Sequence, residues 1–183
     1  MNVYDFDKTI YDGDSSADLI KYALLKHPAA LLTLPSTGLY GLAYLLGLCK
    51  KERFKEKAFG FVRYVPDIDK LLDDFWAKHK HKIMDWYLQQ KKDDDIIVSA
   101  SSQFALDPIC KSLNISVIAT DVDSRTGKFN GPNCHGEEKV KRLRAKFPNA
   151  VVDSFYSDSR SDTPLARIAK KAYIVKRGKL RPW

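Results

Sequence analysis

Apolar and polar positions divide the chain into a short first strand, a helical stretch and a long alternation of strands and helices. The segment Val3–Phe6 predicts a short strand, which a polar stretch ends abruptly. From residue 15 to 92, apolar positions recur mostly at helical spacing. The β-branched run Ile96–Val98 then predicts a strand buried on both faces. Beyond it we predict helices over 104–112, 137–147 and 161–171, strands over 116–119, 151–156 and 172–175, and a hairpin over 120–130.

This order of elements predicts an α/β fold, with a Rossmann-like three-layer α/β/α core and a mostly parallel sheet. The helical stretch interrupts the core after its first strand. Residues 1–14 and 93–183 are therefore expected to form the core, and residues 15–92 an inserted, all-helical cap. Ser15 and Asp18 have the spacing of a capping box at the start of the cap. The periodicity predicts cap helices over 16–26, 51–64 and 67–91.

The segment Pro28–Cys49 contains no charged residue. A run of this length is long enough to cross a bilayer. Pro35 and Gly38 interrupt it, however, so we expect two short buried helices with a break near Pro35. An apolar surface facing a membrane is the alternative.

Composition narrows the choice of partners. The chain has 183 residues, with 31 Lys and Arg against 23 Asp and Glu, which gives a net charge of +8. This balance favours an anionic partner: a nucleic acid, an anionic membrane or an anionic small substrate. Three widely spaced cysteines argue against a disulfide framework. The beginning of the sequence lacks a secretory signal, so we expect a cytoplasmic protein.

Candidate chemistry follows from the predicted sheet, because open parallel sheets bind ligands beyond the carboxyl ends of their strands. Clustered carboxylates need a cation to remain ionised together. An all-oxygen donor set favours Mg²⁺ over zinc or copper. The polar residues expected at this edge are Asp5 and Asp7 after the first strand, Ser99 after the second, Lys139 in a first helical turn, and Asp158 and Asp162 after a later strand.

These segments resemble a known family. Asp5-Phe6-Asp7-Lys8-Thr9, Ser99, Lys139 and Asp158–Asp162 are similar to the four motifs of the haloacid dehalogenase-like phosphatases. A helical cap after the first motif resembles the phosphoserine-phosphatase-like branch. The resemblance implies a Mg²⁺-dependent phosphatase that hydrolyses a phosphomonoester of a small phosphorylated metabolite such as phosphoserine.

The resemblance also implies roles for individual residues. Asp5 would attack phosphorus to form an aspartyl-phosphate, and Asp7 would protonate the leaving alcohol and then activate water. Ser99 and Lys139 would hold phosphoryl oxygens, and Asp14 stands at the spacing of a cap glutamate that contacts substrate. The implied Mg²⁺ site comprises Asp5, Asp7 through its backbone carbonyl, Asp158 as a side-chain ligand, and Asp162 supporting the site from behind.

The sequence departs from phosphoserine phosphatases in two ways. Ser161 occupies a position where they usually have Asn, and Asp14 is shorter than their glutamate. Arg53 and Arg63 are the candidates for a cap arginine that binds a substrate carboxylate.

Two alternative functions remain. Pro28–Cys49, together with Tyr156-Ser-Asp-Ser and Pro164-Leu165, resembles phosphatidylglycerophosphate phosphatases, which implies a lipid phosphate and peripheral contact with an anionic membrane. The other alternative is a basic module that binds nucleic acid or phosphoprotein without catalysis. No nucleic-acid motif is found, so we expect no nucleic-acid partner. The sequence gives no prediction of oligomeric state.

Overall fold

A computed structural model describes all 183 residues. Six strands form one sheet in the order β3-β2-β1-β4-β5-β6. Every neighbouring pair is parallel except β5 and β6, so the predicted α/β fold with a mostly parallel sheet is confirmed. The strands are β1 Asn2–Tyr4, β2 Ile96–Ser102, β3 Ser116–Thr120, β4 Ser154–Ser157, β5 Lys171–Lys176 and β6 Lys179–Pro182.

Eight α-helices accompany the sheet, and 3₁₀ turns extend or link several of them. The helices are α1 Ser15–Lys26, α2 Leu34–Leu45, α3 Lys51–Ala58, α4 Ile68–His79, α5 Asp85–Gln90, α6 Gln103–Ser112, α7 Glu137–Lys146 and α8 Thr163–Ile168. The 3₁₀ turns are Pro28–Thr33, Phe59–Tyr64, Lys80–Lys82 and Arg160–Asp162.

The sheet separates two hydrophobic clusters, because successive strand residues point to opposite faces. On one face, Tyr4 and Ile97 pack with α6 and with aromatic residues of the helical insert. On the other face, Val3 packs with Leu143 of α7 and Leu165 of α8. The core therefore has helices on both faces of the sheet, as a three-layer α/β/α architecture requires.

The insert shares its apolar core with the sheet. Tyr4 stacks on Tyr156 with ring centroids 4.7 Å apart, and Tyr87 of α5 meets Tyr4 edge-on at 5.0 Å. An antiparallel bridge joins Tyr11 of the core to Ile83 of the insert, so the backbones of the two parts also pair. The division of the chain at residues 14/15 and 92/93 stays a prediction.

Some predicted helix boundaries are wrong. The N-cap of α1 is Asp14, whose side chain accepts a 2.9 Å hydrogen bond from the Ala17 N–H, so the capping box on Ser15 is not formed. The predicted helix 51–64 becomes α3 followed by a 3₁₀ turn. The predicted helix 67–91 is interrupted at residues 80–84, because Ile83 leaves the helix to pair with the core.

The uncharged segment also differs from expectation. It forms the 3₁₀ turn Pro28–Thr33 and the helix α2, and none of the α2 residues is buried. The predicted buried helices are therefore wrong. Pro35 lies in the first turn of α2, where a missing N–H costs nothing, so it begins a helix instead of breaking one. None of the helices is long and apolar enough to traverse a bilayer.

Candidate active site

A tight turn after β1 positions Asp5 and Asp7. The Phe6 carbonyl accepts backbone hydrogen bonds from all three residues 9–11, which curls the chain immediately beyond the strand. Lys8 has φ +57°, a left-handed conformation that is uncommon outside glycine and often occurs at functional sites. Asp5 and Asp7 consequently line the same cleft, as the sequence predicts.

Asp5 belongs to a buried ion-pair network. Lys139 Nζ lies 2.6 Å from Asp5 Oδ1 and 2.7 Å from Asp162 Oδ2, and the Ser157 hydroxyl donates to the same Asp162 oxygen at 2.8 Å. Burial raises the pKa of Asp5, and the Lys139 ammonium acts against that rise. Burial alone would lower the pKa of Lys139, but Asp5 and Asp162 together raise it. Lys139 is therefore a fixed positive charge beneath the cleft.

Asp7 is held by a different set of donors. Its Oδ1 accepts the Ser15 backbone N–H at 2.7 Å, and its Oδ2 accepts the Ser101 hydroxyl. Burial, and then the charge of Asp14, raise the pKa of Asp7, while the hydrogen bonds from Ser101 and Ser15 act against the rise. A raised pKa suits a group that donates and then accepts a proton near neutral pH.

Ser101 is a site residue that the sequence analysis missed. The sequence places Ser99 at the carboxyl end of the second strand and assigns no role to Ser101. In the structure β2 continues to Ser102, with a register irregularity between Val98 and Ser102. Irregularities of this kind redirect side chains next to active sites. The Ser99 hydroxyl is buried and accepts the Ser101 N–H at 3.1 Å, and both serines line the cleft.

The two remaining aspartates follow β4. The Thr9 hydroxyl accepts the Asp158 backbone N–H at 2.9 Å, which ties this loop to the turn after β1. The Asp158 carboxylate makes no hydrogen bond within the protein, and burial raises its pKa. Asp162 Oδ1 is buried without a partner. Asp5, Asp7, Asp158 and Asp162 all line the cleft, but the side chains do not form a cluster of three or more carboxylates around one point.

The helical insert supplies the opposite wall of the cleft, whose volume is about 380 Å³. Lys51 and Lys55 project from one face of α3, and His135 reaches the cleft from the core. Lys55 Nζ donates to the Ala100 carbonyl at 2.9 Å and to Asn133 Oδ1 at 3.2 Å. Burial, and then the neighbouring Lys51, lower the pKa of Lys55 to about 8.

Of the cap residues predicted to bind substrate, one lines the cleft and two do not. Asp14 lines the cleft, but one of its oxygens caps α1. Neither candidate arginine lines the cleft. Arg53 is exposed and pairs with Glu56, and Arg63 donates to the Gly60 carbonyl. The basic residues that do reach the cleft, Lys51 and Lys55, were not predicted because lysines spaced by four on a helix are usually solvated.

Comparison with known families identifies the framework on which these residues lie. The family described as haloacid dehalogenase-like hydrolase matches residues 3–167, nearly the whole chain. The chain belongs to the haloacid dehalogenase-like hydrolases. The predicted family and the prediction of a hydrolytic enzyme are thereby confirmed.

A curated relative of this hydrolase matches only part of the chain. Protein CicA of Caulobacter vibrioides is 33% identical over 92 residues, which are 46% of this chain and 41% of CicA. The matched part of the chain thus spans less than half the length of that relative.

Two solved structures share the fold. A Bordetella pertussis Tohama I protein of unknown function superposes with a TM-score of 0.77 at 20% identity, covering 94% of this chain and 87% of that one. A phosphoserine phosphohydrolase-like protein from Francisella tularensis superposes with a TM-score of 0.57 at 18% identity, covering 94% and 86%. These likenesses show that the chain has the fold of those two proteins.

Proposed function

We propose that this hydrolase is a Mg²⁺-dependent phosphatase that cleaves a phosphomonoester through an aspartyl-phosphate on Asp5. The substrate is a small phosphorylated metabolite with an anionic leaving group. The observation that carries this proposal is the pairing of Asp5 Oδ1 with Lys139 Nζ at 2.6 Å, at the edge of a cleft that Asp7 also lines. Lys139 orients one oxygen of Asp5 and leaves the other oxygen available as a nucleophile.

The reaction proceeds in two displacements. Asp5 attacks phosphorus, the bond from phosphorus to the ester oxygen breaks, and Asp7 donates its proton to the departing alkoxide. Asp7, now a carboxylate, then takes a proton from a water molecule that attacks the phosphorus of the aspartyl-phosphate. Inorganic phosphate leaves and Asp5 is regenerated. Ser99 and Lys139 offer donors to the phosphoryl oxygens in both steps.

The donor set fits Mg²⁺. This ion usually binds one or two carboxylates and retains several waters. The carboxylate of Asp158 is free of protein hydrogen bonds, and Asp162 Oδ1 is a buried acceptor without a partner. Asp5, Asp158 and the Asp7 carbonyl would hold the ion, with Asp162 behind them. When bound, the ion would neutralise negative charge on the phosphoryl group.

The leaving group is inferred from the cations on the insert. Like charges four residues apart on a helix repel, and both Lys51 and Lys55 face the cleft without a carboxylate partner. A second anionic group on the substrate, such as a carboxylate or another phosphate, would neutralise them. The carboxylate of phosphoserine meets this requirement.

A phosphate carried on a membrane lipid is a second candidate substrate. The observation that favours it is the exposed leucine-rich helix α2, which packs on the α3 wall of the cleft. Comparing turnover of phosphoserine with that of an anionic lipid phosphate in vesicles would separate the two substrate classes.

Phosphate release from a generic aryl phosphate tests the central proposal. We expect turnover that requires Mg²⁺ and is abolished by Asp5→Asn, which keeps the shape of the side chain but removes the nucleophile. The matched control is Asp121→Asn, at an exposed position outside the cleft, which retains activity. Full activity of Asp5→Asn would overturn the proposal.

A further inference from the structure

The helix α2 exposes its apolar face to solvent, whereas an ordinary surface helix buries that face against the core. Ten of the fourteen large hydrophobic residues exposed on the whole molecule lie between residues 25 and 48. Single exposed leucines are normal, but a contiguous apolar surface marks an interaction site. We define the leucine surface as Leu31, Leu32, Leu34, Leu39, Leu42, Leu45, Leu46 and Leu48.

The opposite face of α2 shows why the leucines point outward. The Thr37 hydroxyl donates to the Lys57 carbonyl at 3.0 Å, Lys57 Nζ lies 4.9 Å from the centre of the Tyr40 ring, and Tyr44 stacks on Phe54. The polar and aromatic residues of α2 therefore face α3. The leucines remain in solvent, with Leu45 at 81% and Leu39 at 65% exposure.

Charge around the leucine surface has one sign. No Asp or Glu occurs between Asp18 and Glu52, whereas Lys26 and Lys50 bracket the uncharged segment and both are exposed. An apolar face with lysines at its borders matches the interface of an anionic bilayer, where leucines enter the acyl region and lysines meet headgroups.

A second copy of the chain fits this surface less well. Symmetric self-association through α2 would bring identical patches together, and with them the same lysines. An anionic bilayer offers both negatively charged headgroups for the lysines and an apolar acyl region for the leucines. With its 12 residues, α2 is about 18 Å long, so it is suited to lie in the interface and does not span the hydrocarbon core.

We propose that the leucine surface docks this protein on anionic membranes. Docking would place a wall of the cleft at the membrane surface, because Tyr44 of α2 stacks on Phe54 and Phe54 lines the cleft. That consequence rests on the proposed function, but docking itself does not.

Sedimentation with vesicles tests the proposal independently of turnover. The full chain would be mixed with vesicles of phosphatidylcholine alone, or of phosphatidylcholine with one quarter phosphatidylglycerol, at low and high salt. We expect binding to the anionic vesicles that weakens at high salt. Lys26→Gln and Lys50→Gln should each weaken it about five-fold at low salt, since a lysine near such a surface contributes about 1 kcal/mol.

Variants of the surface complete the experiment. Leu42→Asp with Leu45→Asp should reduce binding at least tenfold, because charge is placed where the leucines would be buried. Leu180→Asp, at an exposed leucine on β6, is the matched control and should bind like the natural protein. Unchanged phosphate release from a soluble aryl phosphate would show that the α2 variants are folded.

Three results would overturn the docking proposal. The first is no binding to anionic vesicles at low salt, and the second is binding that the double leucine variant retains. The third is a dimer, detected by light scattering, that the same variant dissociates while vesicles are not bound. Loss of phosphatase activity without loss of vesicle binding would count only against the proposed function.

Discussion

Lys139 Nζ lies 2.6 Å from Asp5 Oδ1, although the two residues are 134 positions apart in the sequence. The sheet brings them together, since Asp5 follows β1 and α7 packs against β2 and β3. Lys139 is 1% exposed, so its charge is neutralised by protein carboxylates and hardly at all by water. This pair links the stability of this edge of the sheet to the proposed chemistry.

Replacing Lys139 with Met should lower both the stability of the protein and its kcat. Breaking a buried ion pair by removing one partner costs about 3–5 kcal/mol, and losing a donor to the transition state lowers kcat about 100- to 1,000-fold. The variant removes the Lys139 ammonium that opposes the effect of burial on Asp5, so the pKa of Asp5 in the folded state rises further above that in the unfolded chain. Its stability should therefore fall as pH rises from about 5 to 7.5.

Urea unfolding at the two pH values measures this effect. Lys141→Met is the control, because Lys141 lies on the same helix and is 78% exposed. A Lys139→Met protein as stable as the Lys141→Met protein at pH 7.5 would contradict the role of the pair.

Ser101→Ala should impair Asp7 specifically. The Ser101 hydroxyl donates to Asp7 Oδ2, and a hydrogen bond to a charged group contributes about 1.5–3 kcal/mol, so kcat should fall about 10- to 100-fold. Because this hydrogen bond lowers the pKa of Asp7, the acidic limb of the pH–rate profile should move to higher pH.

The neighbouring Ser102 offers a matched control for that measurement. Its hydroxyl is buried without a partner, so Ser102→Ala should leave both kcat and the pH profile unchanged. Identical profiles for the Ser101 and Ser102 variants would count against the positioning role of Ser101.

Lys55→Gln should change substrate selection. We expect KM for substrates with a second anionic group to rise about tenfold, since a charge-assisted contact of about 1.5 kcal/mol is lost, with KM for a plain aryl phosphate unchanged. Because the pKa of Lys55 is about 8, the natural protein should lose this preference as pH rises through 8. Lys57→Gln, on the same helix but outside the cleft, is the control, and equal effects of the two variants would refute the assignment.

Gly127→Ala should weaken the packing between the core and the insert and so destabilise the protein. Gly127 has φ +74°, and a Cβ at this position would lie 2.5 Å from the Phe59 carbonyl oxygen of the insert. Strain of this kind costs about 1–3 kcal/mol, which thermal unfolding would report as a lower Tm. Gly38→Ala is the contrast, because it faces open space within α2 and should stabilise the protein by up to about 1 kcal/mol. An unchanged Tm for Gly127→Ala would mean that the close contact between Gly127 and Phe59 does not contribute to stability.

Most of the fold follows from local sequence signals. The run Ile96–Val98 specifies a buried parallel strand, and the order of the later elements specifies helices on both faces of the sheet. The hairpin of β5 and β6 was missed because Arg177 and Gly178 form its turn, with φ +50° and +73°, in place of the usual Asn-Gly. The predicted hairpin over 120–130 has only the bridge between Val122 and Phe129.

The site was predictable where it depends on strand ends and unpredictable where it depends on packing. Asp5, Asp7 and Asp158 follow strands, so their convergence could be inferred. Ser101 reaches Asp7 through an irregularity in β2, and Lys55 reaches the cleft through the docking of α3, which no local pattern reveals. The exposure of α2 was mispredicted for the same reason, because its leucines look like core residues until their partners are known.

The proposed chemistry is tested most directly by trapping the phosphoryl group. In Asp7→Asn, Asp5 can still attack an aryl phosphate with a good leaving group, but no carboxylate remains to activate water. We predict that acid quenching of this variant during turnover with Mg²⁺, followed by peptide mass spectrometry, finds a phosphoryl group on Asp5. A phosphoryl group on Ser99 or Ser101 instead, or a protein that carries none while phosphate is still released, would contradict the aspartyl-phosphate mechanism.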